Sequence, residues 1–68
     1  MSVLDARGLS CPEPVMMLRK AMASGEASYE IVVDNTTSKE NVTRYATHQG
    51  FQVEVAEQNG EFTLSMKK

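Results

Sequence analysis

The first helix of this 68-residue chain is predicted to begin within the stretch Arg7-Gly8-Leu9-Ser10-Cys11-Pro12-Glu13-Pro14-Val15. Cys11 is the only cysteine, and prolines follow it at positions 12 and 14. Proline is tolerated in the first turn of a helix, where backbone N–H groups have no intrahelical partner. Because an apolar-periodic run begins at Val15, we predict that a turn delivers Cys11 to the N-cap or first turn of a helix.

That position would stabilise a thiolate, because unpaired N–H groups and the positive end of the helix dipole face it. The competing interpretation is a buried structural cysteine, since free cysteine is among the most buried residue types. The flanking prolines favour the accessible thiol. Glu13 acts in two directions, because its charge complements the dipole but would raise the pKa of an adjacent thiol.

Composition restricts the classes of protein. Hydrophobic residues make up 41% and charged residues 24% of the chain, which is typical of a globular protein, and we expect one domain over residues 1–68. A net charge of −2 argues against nucleic acid as a partner. No apolar run approaches the roughly 20 residues of a membrane span, no signal peptide is visible, and a single cysteine fits a reducing compartment. We therefore expect a cytoplasmic monomer.

Hydrophobic periodicity predicts a first strand over residues 3–6 and a first helix over residues 12–24, which Gly25 ends. The helix has an apolar face and a solvent side. The apolar face comprises Val15, Met17, Leu18, Ala21 and Met22. The solvent side comprises Met16, Arg19, Lys20 and Ala23.

Residues 29–34 alternate and predict a second strand, with Tyr29, Ile31 and Val33 on one face. Thr37 and Glu40 have the spacing of a capping box, in which each side chain bonds the other residue's backbone N–H. The helix that they open carries a narrow apolar stripe and ends at Gly50. Its members are Val42, Tyr45, Ala46 and Gln49.

Two alternating segments flank Asn59-Gly60, a strong hairpin signal. Phe51, Val53 and Val55 share one face of the first segment, and Phe62, Leu64 and Met66 share one face of the second. The element order is therefore β-α-β-α-β-β. It predicts an α+β fold, a two-layer sandwich with both helices on one face of a four-stranded mixed sheet.

Several cysteine chemistries are excluded by residue count. An internal C-x-x-C dithiol would need a second cysteine where Pro14 stands. A hydrolase needs an oriented base, and the only histidine, His48, lies near the end of the second helix, where a solvated side chain is the simpler interpretation. One cysteine and one histidine cannot complete a metal site, so we predict no metal and no cofactor. Transfer of a sulfane sulfur through a Cys11 persulfide needs neither.

Two further side chains, Met16 and Arg7, have two interpretations each. Met16 is either an ordinary exposed methionine or the centre of a docking patch whose rim is Arg19 and Lys20. Arg7 either steers an anionic donor or is simply solvated.

Residues 4–20, which read Leu-Asp-Ala-Arg-Gly-Leu-Ser-Cys-Pro-Glu-Pro-Val-Met-Met-Leu-Arg-Lys, closely resemble the signature of the TusA/SirA-like sulfur-carrier family with its C-P-x-P core. The resemblance implies a sandwich like the C-terminal domain of initiation factor 3, with the final strand antiparallel to the others. It implies that Cys11 carries the persulfide and that Pro12 and Pro14 are the motif prolines. Asp5, Gly8 and Glu13 fall within the same motif as supporting residues.

The resemblance implies a sulfurtransferase that takes sulfur from a cysteine desulfurase or rhodanese and passes it to an acceptor protein. Two alternatives remain open. One is a regulatory or interaction module whose cysteine is redox-sensing or vestigial. The other is selenium handling, because Asp34-Asn35-Thr36-Thr37, with Glu40-Asn41-Val42, resembles YedF-type proteins. Many relatives in tRNA thiolation instead have an aspartate followed soon by proline.

Overall fold

The sheet has four strands and carries two helices against it. The computed structural model describes residues 2–9 and 13–68. The elements along the chain are β1 (Ser2–Asp5), α1 (Glu13–Met22), β2 (Ser28–Val33), α2 (Thr36–His48), β3 (Gln52–Gln58) and β4 (Glu61–Lys67). The strand order is β1-β2-β4-β3. β1 is parallel to β2, and β4 is antiparallel to both β2 and β3, which confirms the mixed sheet and the antiparallel final strand.

The core lies between one face of the sheet and the two helices. β2 alternates as predicted, with Tyr29, Ile31 and Val33 buried, and Ile31 pairs with the buried Leu64 of β4. Leu18 of α1 and the buried side chains of α2 join the same cluster, so both helices cover one face of the sheet. The two-layer prediction is confirmed. The buried apolar residues are Ala6, Leu18, Tyr29, Ile31, Val33, Val42, Ala46, Phe51, Leu64 and Met66.

The β3–β4 hairpin turns at Asn59-Gly60, as predicted. Asn59 has φ 53° and Gly60 has φ 79°. A two-residue type I′ turn requires positive φ at both central positions, and Asn-Gly is the pair that adopts it most readily. Gln58 pairs with Glu61 directly across this turn.

The capping box predicted at Thr37 and Glu40 is wrong. The N-cap of α2 is Asn35, whose side-chain oxygen accepts a 2.7 Å hydrogen bond from the Ser38 N–H. Asparagine is a strong N-cap residue, and its position two residues earlier starts the helix at Thr36. Thr37 is thereby inside the helix, where it cannot serve as the cap.

The other end of α2 is a Schellman motif. The Gly50 N–H donates to the Thr47 carbonyl at 3.0 Å, and the Phe51 N–H donates to the Ala46 carbonyl at 3.0 Å. Phe51 is buried against the core, the apolar contact that accompanies this motif. The predicted stop at Gly50 is therefore confirmed, with the helix itself ending at His48.

Three boundaries differ from prediction, and one of them is that of β2, which spans Ser28–Val33 rather than residues 29–34. α1 ends at Met22 rather than at residue 24, and the next residues form tight turns in which the Gly25 N–H donates to the Met22 carbonyl. β1 spans residues 2–5, one residue earlier than predicted. Val55 lies on the core side of β3 opposite Leu64, yet it is 45% exposed, because β3 is at the edge of the sheet and no other described segment pairs with its outer side.

Within the described residues, neither helix is long and apolar enough to cross a membrane.

Ser38 is the one buried polar residue of the described chain, and its hydroxyl has no hydrogen-bond partner among residues 2–9 and 13–68. We expect Ser38→Ala to raise the free energy of unfolding by about 1 kcal/mol in urea denaturation, because an unsatisfied buried hydroxyl is costly. The alanine keeps the backbone N–H that bonds to Asn35. Ser65→Ala, at an exposed position of β4, is the control and should change stability by less than about 0.5 kcal/mol. A clear loss of stability in Ser38→Ala would contradict the prediction.

Candidate functional site

The chain turns sharply between β1 and the stretch that contains Cys11. The Ala6 N–H donates to the Val32 carbonyl at 2.8 Å, which extends the β1–β2 ladder by one bond. The Leu9 N–H donates back to the Ala6 carbonyl at 3.3 Å and closes a four-residue turn. Gly8 is the third residue of this turn and has φ 79°, the backbone conformation that a type II turn needs and that glycine adopts without strain.

Two carboxylates bond the remaining N–H groups of the turn. The Arg7 N–H donates to Asp5 Oδ1 at 3.1 Å, and the Gly8 N–H donates to Asp34 Oδ2 at 2.7 Å. All four consecutive N–H groups from residue 6 to residue 9 therefore have an acceptor. The backbone is held up to Leu9, two residues before Cys11.

The Arg7 side chain pairs with two carboxylates. Its Nε and Nη2 donate to Asp5 Oδ1 and Oδ2, both at 2.9 Å, in a fork-to-fork geometry. Its Nη1 donates to Glu61 Oε2 at 3.4 Å, which links the turn to the start of β4. The guanidinium hydrogen bonds and the Arg7 backbone N–H lower the pKa of Asp5 to about 2, and the same pairing raises the pKa of Arg7.

Residues 10–12, which include Cys11 and Pro12, lie outside the described residues and form a gap between the turn and α1 in what the structure describes. On the other side of this gap, Glu13 is the first residue of α1 and is exposed. Pro14 is fully buried in the first helical turn, the position that proline tolerates. The described neighbours of the predicted sulfur site are therefore a turn held by hydrogen bonds and a helix anchored by a buried proline.

An open depression of about 640 Å³ lies along α1 beside this gap. Met16 is 58% exposed there, and Arg19 and Lys20 are exposed as well. The depression is lined by Leu9, Glu13, Met16, Met17, Arg19 and Lys20. The structure thus brings together four residues singled out from the sequence. Arg7 and Asp5 are not part of this lining.

His48 is the last residue of α2, exposed, and does not line the depression. No group of three or more histidine, cysteine, aspartate or glutamate residues that could hold a metal ion occurs in the described part of the chain.

Sequence reasoning missed Asp34 and Glu61 as residues that contact the turn. Asp34 directly follows β2, and Glu61 begins β4. Since β1 and β2 are parallel, their carboxyl ends meet at one edge of the sheet. The signal for Asp34 was therefore an acidic residue directly after a strand, but it could be used only once the parallel pairing was known.

We expect the Asp5 carboxyl to titrate at about 2, compared with the ordinary 3.8, in a carbon-13 NMR titration. Arg7→Gln should raise the pKa of Asp5 toward the ordinary value, because the neutral amide lacks the charged fork, while the backbone N–H of residue 7 still donates to Asp5. Lys20→Gln removes an exposed cation elsewhere and should leave the Asp5 midpoint unchanged. Because the folded-state pKa is the lower one, the contribution of Asp5 to stability is present above about pH 4 and is lost as pH falls toward 2. An unchanged midpoint in Arg7→Gln would refute the pairing.

Comparisons with known proteins identify the family of the chain. The family described as sulfurtransferase TusA matches residues 2–68. A protein of Methanocaldococcus jannaschii, provisionally named a sulfur carrier protein, is 36% identical over 72 residues, which span 100% of this chain and 95% of that protein. The crystal structure of a SirA-like protein from Desulfitobacterium hafniense superposes with a TM-score of 0.89 at 37% identity and covers 98% of this chain and 96% of that one. The chain therefore belongs to the TusA family of sulfurtransferases.

Proposed function

We propose that the protein is a sulfur carrier in which Cys11 receives a sulfane sulfur from a donor protein, holds it as a persulfide and passes it to an acceptor protein. The observation that carries this proposal is the family match over residues 2–68 in a chain with a single cysteine. The free thiol also fits a reducing compartment such as the cytoplasm.

The transfer is a thiol exchange at sulfur. The Cys11 thiolate attacks the outer sulfur of a donor persulfide R–S–SH, a new S–S bond forms, and the donor S–S bond breaks. The products are Cys11–S–SH and the donor thiolate R–S⁻, so atoms, charge and protons balance. An acceptor thiolate then attacks the outer sulfur of Cys11–S–SH and releases the Cys11 thiolate. Neither step changes the net oxidation level, so no outside oxidant or reductant is needed.

This exchange requires only that the protein present an accessible thiolate at a defined position. The turn at residues 6–9 and the buried Pro14 supply rigid flanks for the stretch that carries Cys11. The thiolate fraction of Cys11 would benefit from the N-terminal end of α1, which begins two residues later.

The depression beside the gap provides a surface for the two protein partners. Met16 supplies an adaptable apolar centre, and the two cations Arg19 and Lys20 outnumber the one carboxylate of the lining, Glu13. The complementary partner surface would present an apolar side chain flanked by acidic residues. An acidic rim on the partner would also speed encounter, because opposite charges steer association.

Cys11 should gain one sulfur atom when the protein is incubated with a cysteine desulfurase and cysteine. We expect the intact mass to rise by about 32 Da, and a reducing agent should reverse the gain. Cys11→Ser should show no gain. His48→Gln, which removes the only histidine, should behave like the wild type, because the exchange needs no general base.

Two outcomes would overturn the proposal. One is a wild-type protein that gains no sulfur from a desulfurase or a rhodanese persulfide. The other is an equal gain on Cys11→Ser, which would place the sulfur elsewhere. Continued partner binding without any sulfur gain would favour the interaction-module alternative, and labelled selenide on Cys11 would favour selenium handling.

Met16→Ser should weaken docking without changing the chemistry. We expect the donor concentration for half-maximal transfer to rise at least about fivefold, since a fivefold change is about 1 kcal/mol and the contacts that cost this much on truncation cluster at the centre of an interface. The rate at saturating donor and the alkylation rate of Cys11 by iodoacetamide should stay within about twofold of the wild type.

Val3→Ser is the matched control for Met16→Ser. Val3 is also a large exposed apolar residue, at 64%, but it lies on β1 away from the depression. Its half-maximal donor concentration should equal that of the wild type. Equal effects of the two substitutions would show that the depression is not the docking surface.

A further inference from the structure

We propose that Asp34 is a positioning residue for Cys11. In this inference its carboxylate holds the turn that precedes Cys11 against the junction of β2 and α2, and so sets where the thiolate meets an incoming donor. The inference rests on the proposed sulfur transfer for its kinetic consequence, while the anchoring itself can be measured separately.

The carboxylate of Asp34 is well placed to act as an anchor. Its Oδ2 accepts the Gly8 N–H at 2.7 Å from a position 26 residues later in the chain. Its Oδ1 accepts from Asn35 Nδ2 at 3.3 Å, so both oxygens are oriented. Hydrogen bonds to an ionised acceptor are about twice as strong as neutral ones.

The backbone that carries Asp34 is itself fixed on both sides. Val33 is fully buried in the core, and Asn35 caps α2. The position of Asp34 is therefore fixed by β2 on one side and by α2 on the other. Asp5, in contrast, accepts from the N–H of Arg7, only two residues away. This local bond does not attach the turn to another part of the fold.

Apart from the bond to Asp34, the far end of the turn is held by one backbone hydrogen bond and by the partly buried Leu9 side chain, which packs against the core. The Leu9 N–H donates to the Ala6 carbonyl at 3.3 Å, the longest backbone contact of the turn. Gly8 donates to no other acceptor among the contacts of the described residues. Loss of the Asp34 carboxylate would leave the Gly8 N–H without its acceptor, and residues 8 and 9 would then be held by the long Leu9–Ala6 bond and by the packing of the Leu9 side chain against the core. Because attack at sulfur depends on alignment, a shift near 1 Å in the thiolate is enough to slow transfer substantially.

The experiment compares Asp34→Ala, Asp34→Asn and Glu54→Ala with the wild type. Asparagine keeps one side-chain oxygen as acceptor, and Glu54→Ala removes an exposed carboxylate from β3 as the control. Hydrogen exchange at the Gly8 amide measures anchoring without any sulfur. Transfer from a desulfurase persulfide gives the rate at saturating donor and the half-maximal donor concentration, and urea unfolding confirms that each variant is folded.

We expect Asp34→Ala to speed Gly8 exchange on the order of tenfold and to lower the saturated transfer rate about fivefold. The half-maximal donor concentration should not change, because the depression on α1 remains intact. Asp34→Asn should recover most of the rate and most of the protection. Glu54→Ala should match the wild type in all three measurements.

Four results would overturn the inference, and three of them are unchanged Gly8 exchange in Asp34→Ala, faster exchange with an unchanged saturated rate, and an Asn variant no better than the Ala variant. A raised half-maximal concentration at constant saturated rate would assign Asp34 to docking and also overturn it. If the wild type accepts no sulfur, the proposed function fails, and Gly8 exchange still decides whether Asp34 anchors the turn.

Discussion

The parallel pairing of β1 with β2 is the constraint on which the rest of the structure depends. Parallel neighbours cannot be joined by a tight hairpin, so the chain must cross over the sheet, and α1 provides that crossing. The same pairing brings the carboxyl ends of both strands to one edge. The turn at residues 6–9 follows β1 at that edge. Asp34 follows β2 at the same edge and is therefore close enough to bond to Gly8.

Charge is divided between two neighbouring surfaces. At the sheet edge, the carboxylates of Asp5 and Asp34 accept from backbone N–H groups of the turn. The carboxylate of Glu61 accepts from the Arg7 guanidinium. On α1, Arg19 and Lys20 lie exposed around Met16. In the roles proposed above, the first surface positions the turn before Cys11 and the second binds the donor. We therefore expect substitutions on the two surfaces to change different kinetic quantities.

Local signals predicted most of the elements because each one is satisfied within a few residues. The Asn59-Gly60 turn needs only its own backbone dihedrals, and the alternation of β2 needs only one buried face. The capping-box prediction failed for an equally local reason, since Asn35 supplied an N-cap oxygen two residues before Thr37. Val55 follows the predicted alternation and is still 45% exposed, because alternation cannot tell an edge strand from a central one.

The sequence by itself determined the element order, the family resemblance and the cysteine expected to carry sulfur, because these reside in residue identity and short spacing. Only the tertiary structure decided the strand order, the pairing of Arg7 with Asp5 and Glu61, and the bond from Asp34 to Gly8. These depend on which chain segments meet across the sheet, and periodicity contains no information about that. The stretch around Cys11 could be recognised from the sequence. The turn that precedes it, however, is bonded by Asp34 and Glu61, which lie far along the chain.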